Sequence, residues 1–214
     1  MKNNNIVIIG GGGHVKVLID AILSGGKFEI EGILDDKLKA GDIVMGYMGF
    51  PILGGDGILE RFKDFYLALG IGSVKANDKR KTIYERCKTM GFEFPTIIHS
   101  SACVSNSAVI EDGVQIMAGA IITPEAKIGA NTLINTGAIV EHDCIIGPHC
   151  HISLNAILAG KVTIGEGCHI GMGANILQEI KIGNNVTVGA GAVVTKNIED
   201  GKTVVGIPAR EING

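Results

Sequence analysis

The 214-residue chain has no tryptophan, and only 4% of its residues are aromatic. That scarcity removes the stacking platforms used by single-strand nucleic-acid binders. A net charge of −3 leaves no basic excess to draw a phosphate backbone. Proline is scarce at 5 residues, and no Gly-X-Y register runs through the glycines, which excludes a collagen-like chain. The cysteines (Cys87, Cys103, Cys144, Cys150 and Cys168) are odd in number and form no CxxC pair, so neither a disulfide framework nor a zinc site is expected. The N-terminus runs into a strand-like segment without the apolar core and cleavage site of a signal peptide. The longest mostly apolar stretch, Val114 to Ile122, is far short of a membrane span. These absences predict a cytoplasmic protein with no metal, no membrane span and no nucleic-acid partner.

What the chain does have is glycine, 32 residues of it, within a composition 46% hydrophobic. Such a chain buries a core and turns often. From Ile98 to Val194 an aliphatic residue recurs at every sixth position without a slip, through Ile116, Ile134, Ile152 and Ile170 among others. A helix needs period 3.6 and a simple strand period 2, so a six-residue unit reads as a short strand plus a turn. Four places after each aliphatic position comes a small or apolar residue, such as Ala120, Ala138, Cys144, Cys150, Ala156 and Cys168. Two inward columns per unit imply a coil of three units, 18 residues long, stacked at about 4.8 Å. Gly129, Gly147, Gly165, Gly183, Asn184 and Asn185 are expected in the turns, where unusual backbone angles are needed. Cys150 and Cys168 fall one coil apart and are expected as buried thiols.

The first 95 residues have a different rhythm. An apolar strand at 5–9 leads into Gly10-Gly11-Gly12-Gly13-His14, then helical spacing from Val15 to Leu23, then a strand from Phe28 to Leu34 ending on Asp35-Asp36. Strand, glycine loop, helix, strand and acidic pair make a Rossmann-like unit. Its glycines allow a phosphate to approach the helix N-terminus, and an acid at this distance can bind a ribose hydroxyl. A third strand, Phe65 to Gly70, and a helix, Asn77 to Met90, complete a half-size domain. That size suits a mononucleotide or nucleotide-sugar better than a dinucleotide, with His14 and Gly70 at the sheet's C-terminal edge.

The histidines concentrate in the repeat. His142 lies two places beyond the inward Val140, hence outward in a turn, with Glu141 and Asp143 on either side. A carboxylate that accepts an imidazole N–H sets its tautomer and raises its basicity, and an imidazole of pKa about 6.5 can take a proton near neutral pH. One coil further lies Gly160, whose backbone N–H would sit near His142 and could face an oxyanion. His151 and His169 are also one coil apart and would line one outer column. His149 and His169 taken singly read more simply as exposed turn residues.

The uninterrupted hexads resemble those of the hexapeptide-repeat acyltransferases. The segment from Val140 to Ser153, Leu158-Ala159-Gly160, the glycine loop with His14, Asp35-Asp36, Leu67-Ala68-Leu69-Gly70 and the closing Val205 to Ala209 resemble, more narrowly, the nucleotide-amino-sugar acetyltransferases. That family takes in bacillosamine-pathway and perosamine N-acetyltransferases and the related sialic acid O-acetyltransferases. The resemblance implies an α/β N-terminal Rossmann-like half-domain (1–95) that binds a nucleotide-sugar. It implies a left-handed parallel β-helix (96–195) that carries acyl transfer, and a tail (196–214) that closes the helix near CoA. It assigns His142 as general base and Asp143 as its orienting acid, although Glu141 competes for that role. His151, Gly160, Met172, Ala190 and Pro208 would contact acetyl-CoA. Gly12, Gly13, His14, Asp35, Asp36 and Gly70 would contact the nucleotide-sugar. It further implies a homotrimer with CoA between subunits. N-acetylation of a nucleotide-linked 4-amino-4,6-dideoxy sugar, a UDP-sugar by preference, is the leading expectation. O-acetylation of a sialic acid and a non-catalytic scaffold are the alternatives.

Overall fold

The computed structural model describes residues 4–44, 49–72 and 78–212. The N-terminal unit runs β1 (Asn5–Ile9), α1 (Gly13–Gly25), β2 (Glu29–Leu34), β3 (Ile43–Val44), β4 (Phe50–Gly54), a 3-10 turn (Asp56–Phe62), β5 (Tyr66–Leu69) and α2 (Asp78–Thr89). Its sheet has the order β3-β4-β2-β1-β5, parallel throughout except for the β3–β4 pair. Residues of β1 alternate between two apolar clusters. Ile6 and Ile8 pack with Val15, Leu18 and Ile22 of α1, whereas Val7 and Ile9 pack with Tyr84 and Cys87 of α2. A strand covered on both faces must be apolar at every position, which is why β1 reads as a continuous hydrophobic run. Helix α1 stops at Gly26, whose φ of 63° lets its N–H reach the Ile22 and Leu23 carbonyls.

The expected strands and helices all form, with ends shifted by one or two residues; Asn77 lies outside the described residues. The β3–β4 hairpin was not expected. Its partner strand carries Pro51 and ends at Gly54, both of which weaken a strand signal in sequence.

From Ile97 to Val194 the chain makes two-residue strands at six-residue intervals. Each pairs in parallel with the strand 18 residues away, as in Leu133 with His151 and His151 with His169. Three sheets result, wound as a left-handed parallel β-helix. The first face carries Gln115–Ile116, Leu133–Ile134, His151–Ile152 and His169–Ile170, and Thr203–Val205 and Arg210–Glu211 extend it. The second face carries Ile121–Ile122, Ile139–Val140 and Ile157–Leu158, and the third Lys127–Ile128, Ile145–Ile146 and Thr163–Ile164. The second residue of each strand and the small residue four places on fill one continuous core, from Val114 to Val204. Thr132 is a hydroxyl in that column. It donates to the Gly147 carbonyl at 3.0 Å and accepts from the Cys150 N–H at 3.1 Å, so no polar atom of its side chain is stranded. The five cysteines are free thiols, and Cys144, Cys150 and Cys168 are buried.

The turn glycines do a different job from the one expected. The left-handed backbone falls at Glu125, Asn131, Asp143, His149, Asn155, Lys161, Glu179 and Asn185, and at glycines such as Gly119, Gly137 and Gly173. Gly129, Gly147, Gly165 and Gly183 do not adopt it. They stand where one coil meets the next: a Cβ on Gly147 would lie 2.7 Å from the Gly165 carbonyl carbon, and one on Gly165 2.8 Å from that of Gly183. Close approach of stacked backbones, rather than an unusual φ, requires glycine in this column.

The N-terminal unit docks on the first face of the β-helix. Ile97, Met117 and Leu133 join the cluster beneath α1. At the adjoining corner, buried Arg80 of α2 donates from its guanidinium to the Leu69, Ile71 and Asn131 carbonyls, and Tyr84 meets the His149 ring edge-on. Lys81 pairs with Glu166 at the rim. His149, expected as an exposed turn residue, is therefore buried beneath α2.

Candidate active site

His142 sits at the corner where the second face turns into the third, and its side chain is 54% exposed. Its Nδ1 lies 2.8 Å from Asp143 Oδ2. A carboxylate only accepts, so the proton of the neutral ring belongs on Nδ1 and the lone pair on Nε2. Asp143 reaches back because its own backbone is left-handed, at φ 59°. Glu141 does something else: Oε2 accepts from the His142 backbone N–H at 3.3 Å and from the Thr123 hydroxyl at 3.4 Å. Of the two acids, Asp143 is the one that bonds the ring, and Glu141 bonds the backbone. Nε2 faces Gly160, where a Cβ would come within 2.6 Å of it. Glycine keeps the lone-pair side of the ring open. The ladder uses the Ala159 N–H for Ile176 and the Lys161 N–H for His142, and leaves the Gly160 N–H between them without a backbone acceptor among the described residues.

The second group of expected site residues gathers at the C-terminal ends of β1, β2 and β5. Gly12 and Gly13 open α1, and a Cβ on either would meet nothing within 4 Å among the described residues. Asp35 Oδ2 accepts from the Gly11 N–H at 2.7 Å and Oδ1 from the Lys37 N–H at 2.8 Å. Burial would raise this carboxyl, but the N–H donors of Gly11, Lys37 and Leu38 and the charge of Lys79 outweigh it and hold it below its usual range. Asp36 accepts from the Asp56 N–H at 2.8 Å. Both acids therefore shape the loop as well as lining a cleft of about 110 Å³ with Gly10, Lys37, Asp56 and Lys79. Gly70 has a packing reason for being glycine, since a Cβ there would lie 2.3 Å from the Gly10 carbonyl oxygen. His14 Nε2 lies 3.0 Å from Gln115 Oε1 on the β-helix, and burial takes the imidazole down to about 4.

A third feature is a cleft of about 350 Å³ low on the first face, lined by His151, Leu154, His169, Met172 and Ala190 among others. The His151 and His169 rings meet edge-on at 4.9 Å. Asn135 Oδ1 accepts from the Thr136 N–H at 2.8 Å, so its Nδ2 donates to His151 Nε2 at 3.0 Å and the neutral ring carries its proton on Nδ1. Pro208 is exposed in the tail, on the segment that closes the coil. Sequence reasoning did not find Gln115, Arg80 or Asn135. Each acts through a contact between segments far apart in sequence, and no local spacing marks it.

Comparison with known proteins follows the same division. A family profile for the PglD N-terminal domain matches residues 5–87, and one for bacterial transferase hexapeptides matches 107–141, 125–160 and 161–196. The acetyltransferase domain of PglB from Neisseria gonorrhoeae FA1090 superposes with a TM-score of 0.91 at 37% identity, over 98% of this chain and 100% of that one. The chain belongs to the hexapeptide-repeat amino-sugar acetyltransferases. A histidine-to-asparagine variant of perosamine N-acetyltransferase from Caulobacter crescentus, in complex with CoA and GDP-perosamine, is 35% identical over 98% of this chain and 97% of that one, with a TM-score of 0.88. UDP-N-acetylbacillosamine N-acetyltransferase of Bacillus subtilis (strain 168) is 40% identical over 114 residues, 53% of this chain, and the match spans about half (51%) of that relative's length.

As a member of this acyltransferase family, the protein should be sensitive to any atom added beside His142 Nε2. Gly160 does not use a left-handed backbone, so alanine fits there without φ strain. The added methyl instead displaces an exposed ring that is free to swing. Gly160→Ala is expected to fold with an unchanged melting temperature while kcat falls roughly a hundredfold, within the range attributed to a positioned base. Steady-state kinetics beside a thermal melt checks it. Wild-type kcat in a folded variant would detach Gly160 from the reaction.

Proposed function

We propose that the protein is an acetyl-CoA-dependent N-acetyltransferase acting on a nucleotide-linked 4-amino-4,6-dideoxy sugar, with UDP the favoured nucleotide. The observation that carries this reading is the Asp143–His142–Gly160 arrangement, in which Nε2 holds a lone pair and faces a residue with no side chain. The solved relative that holds CoA and GDP-perosamine and the curated bacillosamine enzyme support the donor and acceptor classes. In this reading the neutral sugar amine attacks the thioester carbonyl carbon as Nε2 takes its proton. The C–N bond forms, the tetrahedral oxyanion faces the Gly160 N–H, and the C–S bond then breaks. CoA leaves as the thiolate and takes the proton back from the imidazolium. No acyl-enzyme is needed. Burial pushes the Cys144 thiol up to about 11 and raises Cys150 well above its usual value, so neither supplies a thiolate nucleophile near pH 7.

The reading also needs a second chain. The nucleotide-binding unit and the His151–His169 cleft both lie on the first face of the prism, whereas His142 lies on the opposite edge, between the second and third faces. Within one chain the base and these two features therefore stand on different sides of the prism. Next to the His142 edge, Ile121 and Ile157 point outward from the second face at 37% and 38% exposure, with Ile139 between them. This apolar ladder suits burial against a neighbour. We therefore place the site between subunits of a homotrimer. His142 and Asp143 would come from one subunit and the nucleotide-sugar residues Gly12, Gly13, His14, Asp35, Asp36 and Gly70 from the next. Acetyl-CoA would lie along Gly160, His151, Met172, Ala190 and Pro208. Residues 1–95, 96–195 and 196–214 then serve as acceptor-binding, acyl-transfer and closing segments. We place the protein in the cytoplasm.

The test is release of CoA thiol from acetyl-CoA with a panel of UDP- and GDP-linked 4-amino sugars and free sialic acid. Turnover is expected with an amino sugar, fastest with a UDP derivative. Turnover with sialic acid alone would replace the N-acetyl reading by O-acetylation.

A further inference from the structure

The buried Gln115 bridges the two domains at a place that controls the chemistry of His14. It opens a coil strand on the first face, where the pattern points its side chain out of the β-helix, yet it is only 2% exposed because the N-terminal unit covers it. Its Nε2 donates to the Leu69 carbonyl at the end of β5, at 3.0 Å. A carbonyl cannot donate, so the amide nitrogen is held on that side. The oxygen is therefore the atom that faces His14, and His14 Nε2, 3.0 Å away, must carry the proton. The remaining ring nitrogen, Nδ1, has no hydrogen-bond partner among the described residues and is not sealed from solvent.

We propose that Gln115 is a positioning residue that holds His14 as the neutral Nε2–H tautomer, so that Nδ1 accepts a hydrogen bond from an O–H or N–H of the acceptor sugar. The clause about the sugar rests on the function proposed above; the tautomer follows from the contacts alone. The groups that face His14 agree with a neutral ring. Burial is the main cause that keeps a second proton off it, the Gln115 oxygen works in favour of one, and the Arg80 charge works against it. An acceptor nitrogen that stays unprotonated across the working pH range selects ligand donors and rejects ligand acceptors, because a lone pair facing a lone pair finds no proton to share.

Two variants of the full-length protein test this, with histidine ring nitrogens labelled with nitrogen-15. Wild-type His14 is expected as one neutral tautomer, protonated at Nε2, down to about pH 5. Gln115→Met keeps the shape and removes both polar atoms, and Leu69 still accepts from Arg80 at 3.0 Å. His14 should then divide between tautomers, and KM for the nucleotide-sugar should rise roughly tenfold, with kcat and KM for acetyl-CoA within about twofold. Gln115→Glu places a carboxylate against the same N–H. It should raise the His14 titration and introduce an acid limb into kcat/KM for the acceptor that the wild type lacks. A folded Gln115→Met protein in which His14 keeps a single Nε2–H tautomer overturns the proposal, as does a Gln115→Glu protein in which the His14 titration does not move. If the wild type transfers no acetyl group, the functional reading fails, and the ring spectra still decide the role of Gln115.

Discussion

Replacement of His142 by alanine should lower kcat by about a thousandfold, the middle of the range that a positioned general base supplies. KM for acetyl-CoA should stay within about twofold, because the cleft proposed to hold it, formed by His151, His169, Met172 and Ala190, lies on another face and loses no contact. The ring is half exposed and packs on nothing that the fold requires, so the melting temperature should not change. Asp143→Asn should follow in the same direction with a smaller loss, about ten- to a hundredfold. An amide in place of the carboxylate no longer obliges the ring to protonate at Nδ1, and a ring protonated at Nε2 has no lone pair to offer the amine. Glu141→Gln should cost less than Asp143→Asn, since Glu141 bonds the backbone N–H of His142 and not its ring. Initial-rate measurements with acetyl-CoA and one amino-sugar acceptor decide all three. A His142→Ala enzyme retaining a tenth of wild-type kcat would remove the base from the mechanism, and the reverse order for the two acids would reassign the orienting carboxylate.

The second large effect is on stability. Gly147→Ala should destabilise the protein by about 3 kcal/mol, at the upper end of overpacking costs. The added carbon would lie 2.7 Å from the Gly165 carbonyl carbon and 2.9 Å from the Glu166 nitrogen. Neither can give way without moving a whole coil, because the Gly147 N–H donates to Ile164 at 2.8 Å in the same stack. Gly119→Ala makes the contrast. Its φ is +67°, but a Cβ there meets nothing within 4 Å, so only the left-handed backbone cost of about 1 kcal/mol applies. Denaturant melts of the two variants should therefore rank them opposite to an expectation based on φ alone. Equal losses would show that coil contact does not govern this column.

The β-helix was legible because its cause is local and repeated. One residue in six must enter a narrow core, and the same requirement returns in every unit from Ile98 to Val194. The half-size α/β unit was legible for a related reason, since β1 and α1 announce their buried faces by period. The hairpin at Ile43–Val44 and Phe50–Gly54 was not, as a two-residue strand carries no period and its partner is interrupted by Pro51. His142 could be located because the 18-residue coil converts sequence distance into spatial distance, which places Gly160 beside it. The burial of His149 could not be read, since it depends on where α2 lands.

Sequence alone determined the prism, its core columns, the corner that carries His142 and the glycine loop that opens α1. These follow from periodicity and from the few residues that tolerate a given backbone. Only the tertiary structure decided which acid holds the His142 ring, why Gly147 and its column are glycine, and which tautomer His14 adopts. Each of those depends on a distance of about 3 Å between groups 18 or more residues apart or on the direction of one side chain, and hydrophobic pattern carries no information about either.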